Sequence, residues 1–274
     1  MAIKAADVAK LRKMTGAGMM DCKKALEEAN GDFDGAVKII RERGQEVAKK
    51  RSDREASEGV VLAKVSDDKK KGAIVVLNCE TDFVAKNDDF VKFASEILDK
   101  AIEEAPADLE ALKAQKIGDT TIGEKVTEQV GIIGEKIELS YYAFAQAEDL
   151  TAYIHPGNKL ASLVGFDKSV GEEVGKDVAM QVAAMAPVAI DKDGVKQEVI
   201  DQELEIYKEK SRQEGKPEEM LDKIAQGRLN KFFKENTLIN QEFVKEGKKS
   251  VGDYVKEQAG DAKIVAMERY TLNA

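Results

Sequence analysis

A buried strand that leads into a capped helix constrains this chain more than any other stretch. Residues 73–77 (AIVVL) are apolar and rich in β-branched side chains, which is typical of a buried strand. Asn87 can cap a following helix, since Asp88 and Asp89 supply the negative charge that a helix N-terminus favours. Residues 81–86 (TDFVAK) are therefore predicted to form an elbow between two rigid elements.

This elbow places an acidic residue beside an aromatic one. Phe83 is expected either to pack into the core as a plug or to point outward as a probe of a partner. On this stretch alone we favour the plug, because most aromatic side chains in proteins are buried. The choice decides whether the elbow is structural or functional.

Composition excludes several classes of protein. The 274 residues include 52 acidic and 43 basic side chains, a net charge of −9, which argues against a nucleic-acid-binding protein. Two cysteines are too few for a disulfide framework, and Cys79 is expected to be buried as a small hydrophobic residue in a reducing compartment. We find no apolar leader and no apolar run of membrane-spanning length, so a cytoplasmic protein without membrane contact is expected.

The order of patterns predicts an α+β fold. A pseudo-repeated core is expected, in which an antiparallel hairpin followed by a helix occurs twice and an antiparallel helical hairpin of coiled-coil character is inserted. The predicted divisions are a three-helix module at 1–44, a charged linker at 45–58 that can be helical, core subdomain N at 59–145 and core subdomain C at 146–274, which includes the helical hairpin at 195–235.

Individual elements follow from periodicity and capping residues. In the N-terminal module, Asp21 and Asp32 are predicted to cap the second and third helices, the third reaching Gly44. In the core, strands are expected at 60–65, 73–77, 136–144, 151–155, 160–166 and 263–270, and helices at 88–104, 109–115, 121–131, from 171 onward, 195–212, 218–235 and 250–258.

Catalytic constellations are largely absent from the sequence. His155 is the only histidine, so a conventional Ser-His-Asp triad or a histidine-rich metal site is not expected. Residues 191–194 (DKDG) lack the spacing of a calcium loop, and residues 16–18 (GAG) lack the strand that precedes a nucleotide-binding loop. We therefore predict no catalytic residue, metal or cofactor. A hydrolase that uses a carboxylate pair is the enzyme alternative.

Two segments resemble the signatures of a known family. Residues 15–26 (TGAGMMDCKKAL) and the elbow at 81–86 together resemble bacterial translation elongation factor Ts, and the order of modules extends the resemblance over nearly the whole chain. The resemblance implies a UBA-like N-terminal module and guanine-nucleotide exchange on elongation factor Tu, bound in its GDP and nucleotide-free forms. It also implies that self-association can produce a two-plus-two complex.

The resemblance assigns roles to individual residues. It implies that Thr81, Asp82, Phe83 and Val84 intrude beside the magnesium site of elongation factor Tu, with Phe83 as an apolar wedge. It implies secondary contacts with the partner at Met19, Met20, Ile133, Gly134 and His155. Some members carry a long C-terminal helical module that is missing here, and we expect this to affect the strength of the complex but not its chemistry. A scaffold that binds a GTPase without accelerating nucleotide release is the non-enzymatic alternative.

Overall fold

Residues 3–272 are described in the computed structural model, and the chain divides into two units. The first unit comprises residues up to 62, residues 75–143 and the last residues from 272. The second comprises residues 63–74 and 144–271. Both units combine helices with antiparallel strands, so the predicted α+β class is confirmed.

Three helices open the first unit: α1 (Ala5–Thr15), α2 (Met19–Glu28) and α3 (Phe33–Lys50). They enclose a small core that includes the fully buried side chains of Leu11, Cys22 and Leu26. Asp32 caps α3 as predicted, and its carboxylate accepts a hydrogen bond from Gly35 N at 2.9 Å. The prediction that Asp21 caps α2 was wrong, because α2 begins at Met19 and Asp21 lies in its first turn.

The third helix is longer than its apolar stripe suggested. It runs past Gly44 to Lys50 and takes up residues 45–50 of the predicted linker, whose expected helicity is confirmed there. Gly44 is buried, and a Cβ atom added to it would make ordinary contacts with Gly131 Cα at 3.7 Å and Thr127 O at 3.8 Å. The division at residue 44 and the UBA-like character of the module stay predictions.

A three-stranded sheet with the order β1-β2-β5 follows the three helices along the chain. Strand β2 is buried along almost its whole length, as its continuous apolar run predicted. The elements that follow α3 are, in chain order, β1 (Glu58–Val65), β2 (Lys71–Cys79), α4 (Asp82–Ala85), α5 (Asp88–Glu104), α6 (Leu109–Ala114), β3 (Lys116–Ile117), β4 (Thr120–Thr121), α7 (Ile122–Ile133) and β5 (Glu138–Gln146).

Helices α3 and α7 pack against each other through glycine. A Cβ atom added to Gly131 would lie only 2.5 Å from the Cα atom of Gly44, so the two backbones touch. Arg41 Nε also lies 2.7 Å from a carboxylate oxygen of Glu128, which links the same two helices. The N-terminal helices are thereby joined to the helix that ends near the elbow.

The second unit repeats the hairpin and helix. Its elements are β6 (Asp149–Ile154), β7 (Leu160–Phe166), α8 (Glu172–Met185), α9 (Gln197–Gln213), α10 (Leu221–Asn236), α11 (Val251–Ala259) and β8 (Ile264–Thr271). The strand order is β6-β7-β8, all antiparallel, and α8 lies against β6 and β7. The chain bends between β7 and α8 without a helical turn, and Phe166, the last residue of β7, is fully buried.

The predicted helical hairpin is present as α9 and α10, which pack on each other. One ion pair joins the two helices, Lys208 to Asp222 at 2.8 Å. Two more join the helices to the connection between them, Arg212 to Glu218 at 2.9 Å and Arg228 to Glu214 at 2.7 Å. Few side chains of the hairpin are buried, chiefly Leu221, Ala225 and Leu229. Coiled-coil packing in the strict sense stays a prediction. Within residues 3–272, no helix has the length and apolarity needed to cross a bilayer.

Candidate functional site

The elbow contains a short helix that the sequence analysis did not predict. Helix α4 begins after Thr81, whose hydroxyl oxygen accepts a long hydrogen bond from Val84 N at 3.4 Å. Lys86 Nζ donates to Asp82 Oδ2 at 2.6 Å, one turn further along the same segment. The elbow is thus one closed helical turn rather than an open loop.

Phe83 points outward from this turn. Its side chain is 82% exposed, whereas Ala85 on the same turn is buried. The interpretation of Phe83 as a plug was therefore wrong. The physical reason is the shortness of the turn: it can bury only one side, and the small side chain of Ala85 occupies that side.

Glu135 holds the start of the elbow from a distant part of the chain. Its Oε2 atom accepts hydrogen bonds from Glu80 N at 3.1 Å and Thr81 N at 3.0 Å. Its Oε1 atom accepts a third from the Thr81 hydroxyl at 2.7 Å. The sequence analysis missed Glu135, because nothing in the local pattern around it indicates a partner more than fifty residues earlier.

Glu80 makes a second set of hydrogen bonds at the base of the elbow. Its Oε1 atom accepts hydrogen bonds from Lys136 N at 2.6 Å and from Arg51 Nη1 at 2.7 Å. The Lys136 backbone bond, followed by the Arg51 side chain, lowers the pKa of the Glu80 carboxyl below its usual value. Glu80 therefore stays ionised and keeps both contacts at neutral pH.

Cys79 directly precedes Glu80 in the chain and is fully buried, as predicted. Its thiol donates a hydrogen bond to the Thr81 carbonyl oxygen at 3.1 Å. Burial, and next the negative charge of Glu135, raise the pKa of Cys79 to about 12. A neutral thiol here supports the elbow and does not act as a nucleophile.

Ile133 and Gly134 directly precede Glu135, whose carboxylate accepts the hydrogen bonds at the base of the elbow. Ile133 is the last residue of α7, and Gly134 ends that helix in the left-handed conformation with φ of 80°. Glu135 follows at once, so this glycine turns the chain at the point where the carboxylate reaches the elbow. The structure therefore brings these two predicted contact residues close to the predicted intruding segment.

The other predicted contact residues lie elsewhere. Met19 and Met20 are in the first turn of α2 and are 44% and 62% exposed, so both are accessible on the N-terminal helices. His155 belongs to the second unit, directly after β6, where its Nδ1 atom lies 3.0 Å from the Tyr153 hydroxyl oxygen. It is exposed and accessible, as a surface contact residue must be.

Comparison with known proteins decides the family. A family model described as Elongation factor TS matches residues 80–274. Proteins named Elongation factor Ts from Christiangramia forsetii, Amoebophilus asiaticus and Porphyromonas gingivalis are 55%, 52% and 50% identical. The first match covers 98% of each chain and the other two cover 100% of each. The chain belongs to the elongation factor Ts family.

Membership in the elongation factor Ts family confirms the resemblance drawn from residues 15–26 and 81–86. It implies nucleotide exchange on elongation factor Tu during translation elongation, with elongation factor Tu as the partner. A nucleotide exchange factor of this family is not an enzyme in the usual sense. Through residues 3–272 we find no group of three or more His, Cys, Asp or Glu side chains arranged to hold a metal ion.

Proposed function

We propose that this chain releases GDP from elongation factor Tu by pressing the elbow, with Phe83 foremost, against the loops around the bound magnesium. The observation that supports this most directly is the 82% exposure of a phenylalanine on a segment fastened at its base. An exposed aromatic ring on a rigid turn has no role in the core. It is available to enter an apolar pocket of a partner.

The energetics favour such a wedge. Full burial of a phenylalanine ring contributes roughly 1.5–3 kcal/mol, and this free energy becomes available only in the complex. Because hydrogen bonds already fix the elbow, little backbone entropy is lost when it binds. Asp82 adds a negative charge beside the ring, paired in the free protein with the exposed Lys86 ammonium, so it can exchange that partner for groups on elongation factor Tu.

Displacement of the magnesium site explains why GDP leaves. Magnesium requires near-ideal octahedral geometry, so a small movement of the loops that position it weakens its binding. The metal neutralises much of the charge on the nucleotide phosphates, and its loss loosens GDP. By reciprocity, GDP must weaken the binding of the exchange factor by the same ratio. No step in this sequence makes or breaks a covalent bond.

Release of a fluorescent GDP analogue from the cognate elongation factor Tu tests the proposal. We expect the wild-type chain to accelerate release and Phe83→Ala to lose roughly tenfold or more of that acceleration, about 1.4 kcal/mol of barrier. Equal acceleration by both proteins would remove Phe83 from the mechanism. No acceleration by either would favour a scaffold that binds the GTPase without exchange.

A buried phenylalanine supplies the control for folding. Phe90 is 2% exposed, so Phe90→Ala is expected to lower the free energy of unfolding by about 3–5 kcal/mol. Phe83→Ala should leave the thermal midpoint almost unchanged, since it removes little buried surface. A large loss of stability in Phe83→Ala would mean that its effect on exchange comes from misfolding.

We assign the remaining contacts to the same complex. Met19 and Met20 would dock the N-terminal helices, while Ile133, Gly134 and His155 would add contacts around the nucleotide-binding domain. Alanine substitution of an exposed docking residue should weaken binding without changing the maximal rate of release. Self-association into a two-plus-two complex stays a prediction, and sedimentation of the chain with and without its partner measures it.

A further inference from the structure

Two helices of the first unit end at the base of the elbow. Helix α3 ends at Lys50, and the next residue, Arg51, donates to the Glu80 carboxylate. Helix α7 ends at Ile133, and Glu135 follows after the turn at Gly134. We use the name elbow clasp for Arg51, Glu80, Thr81, Glu135 and Lys136, which are joined here by hydrogen bonds.

We propose that Glu135 is a positioning residue for nucleotide exchange, which acts through Thr81 to hold Phe83 in the orientation that enters the partner. This inference rests on the function proposed above. The inference adds a residue outside the Thr-Asp-Phe-Val segment to the proposed mechanism. It also gives a physical reason why that segment is already ordered before binding.

A single carboxylate satisfies three donors at the base of the elbow. Two are backbone N–H groups of Glu80 and Thr81, which fix the direction of the chain as it leaves β2. Hydrogen bonds to an ionised acceptor are stronger than neutral ones. Removal of the Glu135 carboxylate deprives both N–H groups of this partner at a partly buried position, where lost hydrogen bonds are costly.

The third donor connects the carboxylate to helix α4. The Thr81 hydroxyl donates its hydrogen to Glu135 Oε1 at 2.7 Å, and its oxygen accepts from Val84 N. Its orientation is therefore set by Glu135 while it caps the turn that bears Phe83. A helix of one turn is not stable by itself, because helix nucleation is unfavourable. Without the clasp the turn must be ordered after the complex has formed, as Phe83 enters the partner, so the ordering cost falls on the release step and lowers its maximal rate.

Glu135→Ala and Glu135→Asp test the role in the GDP-release assay. Alanine removes the acceptor, and aspartate keeps the charge but shortens the reach by one methylene. We expect both to lower the maximal rate of release roughly tenfold, with the half-saturating concentration changed by less than about threefold. Glu135→Gln should restore most of the rate, since its amide oxygen can accept from both N–H groups and its NH₂ can donate to Thr81 Oγ1.

Glu124 supplies a matched control on the same helix. At the other end of α7 its carboxylate accepts hydrogen bonds from Thr121 N at 2.8 Å and the Thr121 hydroxyl at 2.9 Å. Glu124→Ala therefore removes the same kind of contact from α7 without touching the elbow clasp. We expect it to lower the thermal midpoint but to leave the maximal rate of release unchanged. Equal effects of Glu124→Ala and Glu135→Ala on that rate would overturn the proposal.

A spectroscopic readout separates positioning from general stability. The sequence has six tyrosines but no tryptophan, so Phe83→Trp places a single tryptophan at the elbow, which can be excited at wavelengths that tyrosine does not absorb. Addition of Glu135→Ala should shorten the local component of its anisotropy decay, and addition of Glu124→Ala should not. Unchanged anisotropy in the Glu135→Ala background would overturn the proposal.

Failure of this inference and failure of the proposed function give different results. If Phe83→Ala loses exchange while Glu135→Ala and Glu135→Asp keep the full maximal rate, only the positioning role of Glu135 is wrong. If Phe83→Ala keeps full exchange activity, the wedge itself is wrong, and the role of Glu135 fails with it.

Discussion

At the scale of single residues, Cys79 offers a test of how tightly the base of the elbow is closed. The thiol is buried against the Thr81 carbonyl, and its raised pKa of about 12 leaves it protonated at ordinary pH. Since the thiolate is the reactive form, native Cys79 should label with a disulfide reagent at pH 8 far more slowly than in urea. Mass spectrometry of the labelled peptides distinguishes it from Cys22. Rapid labelling of Cys79 in the native protein would contradict a closed base.

The raised pKa of Cys79 also makes the free energy of unfolding depend on pH in a definite direction. Between the ordinary thiol pKa of about 8.5 and the folded value, the unfolded chain binds fewer protons than the folded one. The contribution of Cys79 to the free energy of unfolding is therefore complete below that window and is lost as the pH rises through it. Comparison of wild type with Cys79→Ala isolates this dependence from the titration of lysine and tyrosine.

Two phenylalanines show what the sequence can and cannot predict at this scale. Phe166 is the last residue of an apolar strand and is fully buried, whereas Phe83 lies beyond the end of a similar strand and is exposed. Residue type favours burial at both positions. The difference arises from the helical turn at Asp82–Ala85, which buries Ala85 instead. Only the family resemblance pointed to the exposed orientation.

At the scale of elements, the glycine contact between α3 and α7 makes a sharp prediction. Gly131→Ala places a Cβ atom 2.5 Å from Gly44 Cα, so the helices must separate. We expect the free energy of unfolding to fall by about 1–3 kcal/mol, which denaturant titration measures. Gly227→Ala in α10 is the control, since nothing lies within 4 Å of its added Cβ and helix propensity should raise stability by roughly 0.5–1 kcal/mol. Equal stability changes at the two glycines would show that the contact is not tight.

Capping residues and periodicity predicted most helices and strands, but the sequence did not predict which elements contact one another. Asn87 and Asp32 cap their helices as expected, because a cap depends on residues within one turn. Helix α3 continues past Gly44, which touches Gly131 far along the chain, and Glu135 likewise accepts hydrogen bonds from a distant segment. Such long-range pairings leave no periodicity in the sequence, and they supply the part of the site that was missed.

At the scale of the whole molecule, exchange is a coupling between two ligands of elongation factor Tu. The chain should bind the nucleotide-free partner more tightly than the GDP-bound partner, by the same ratio with which it weakens GDP. Phe83→Ala should reduce that ratio about tenfold, as measured by titration calorimetry on both forms of the partner. Met20→Ala, on the N-terminal helices, should weaken binding to both forms together. A ratio that Phe83→Ala leaves intact would assign the coupling to another surface.

The exposure of Phe83 also bears on how readily proteases cleave the chain. Proteases with an apolar primary pocket cut after aromatic residues in exposed loop tips, because such loops unfold easily into the protease cleft. Phe83 presents the aromatic side chain but lies in a capped turn whose base is held by Glu80, Thr81 and Glu135. Cleavage must wait for that turn to open, so its rate follows the opening equilibrium. The hydrogen bonds that order the segment for a partner also protect it from degradation.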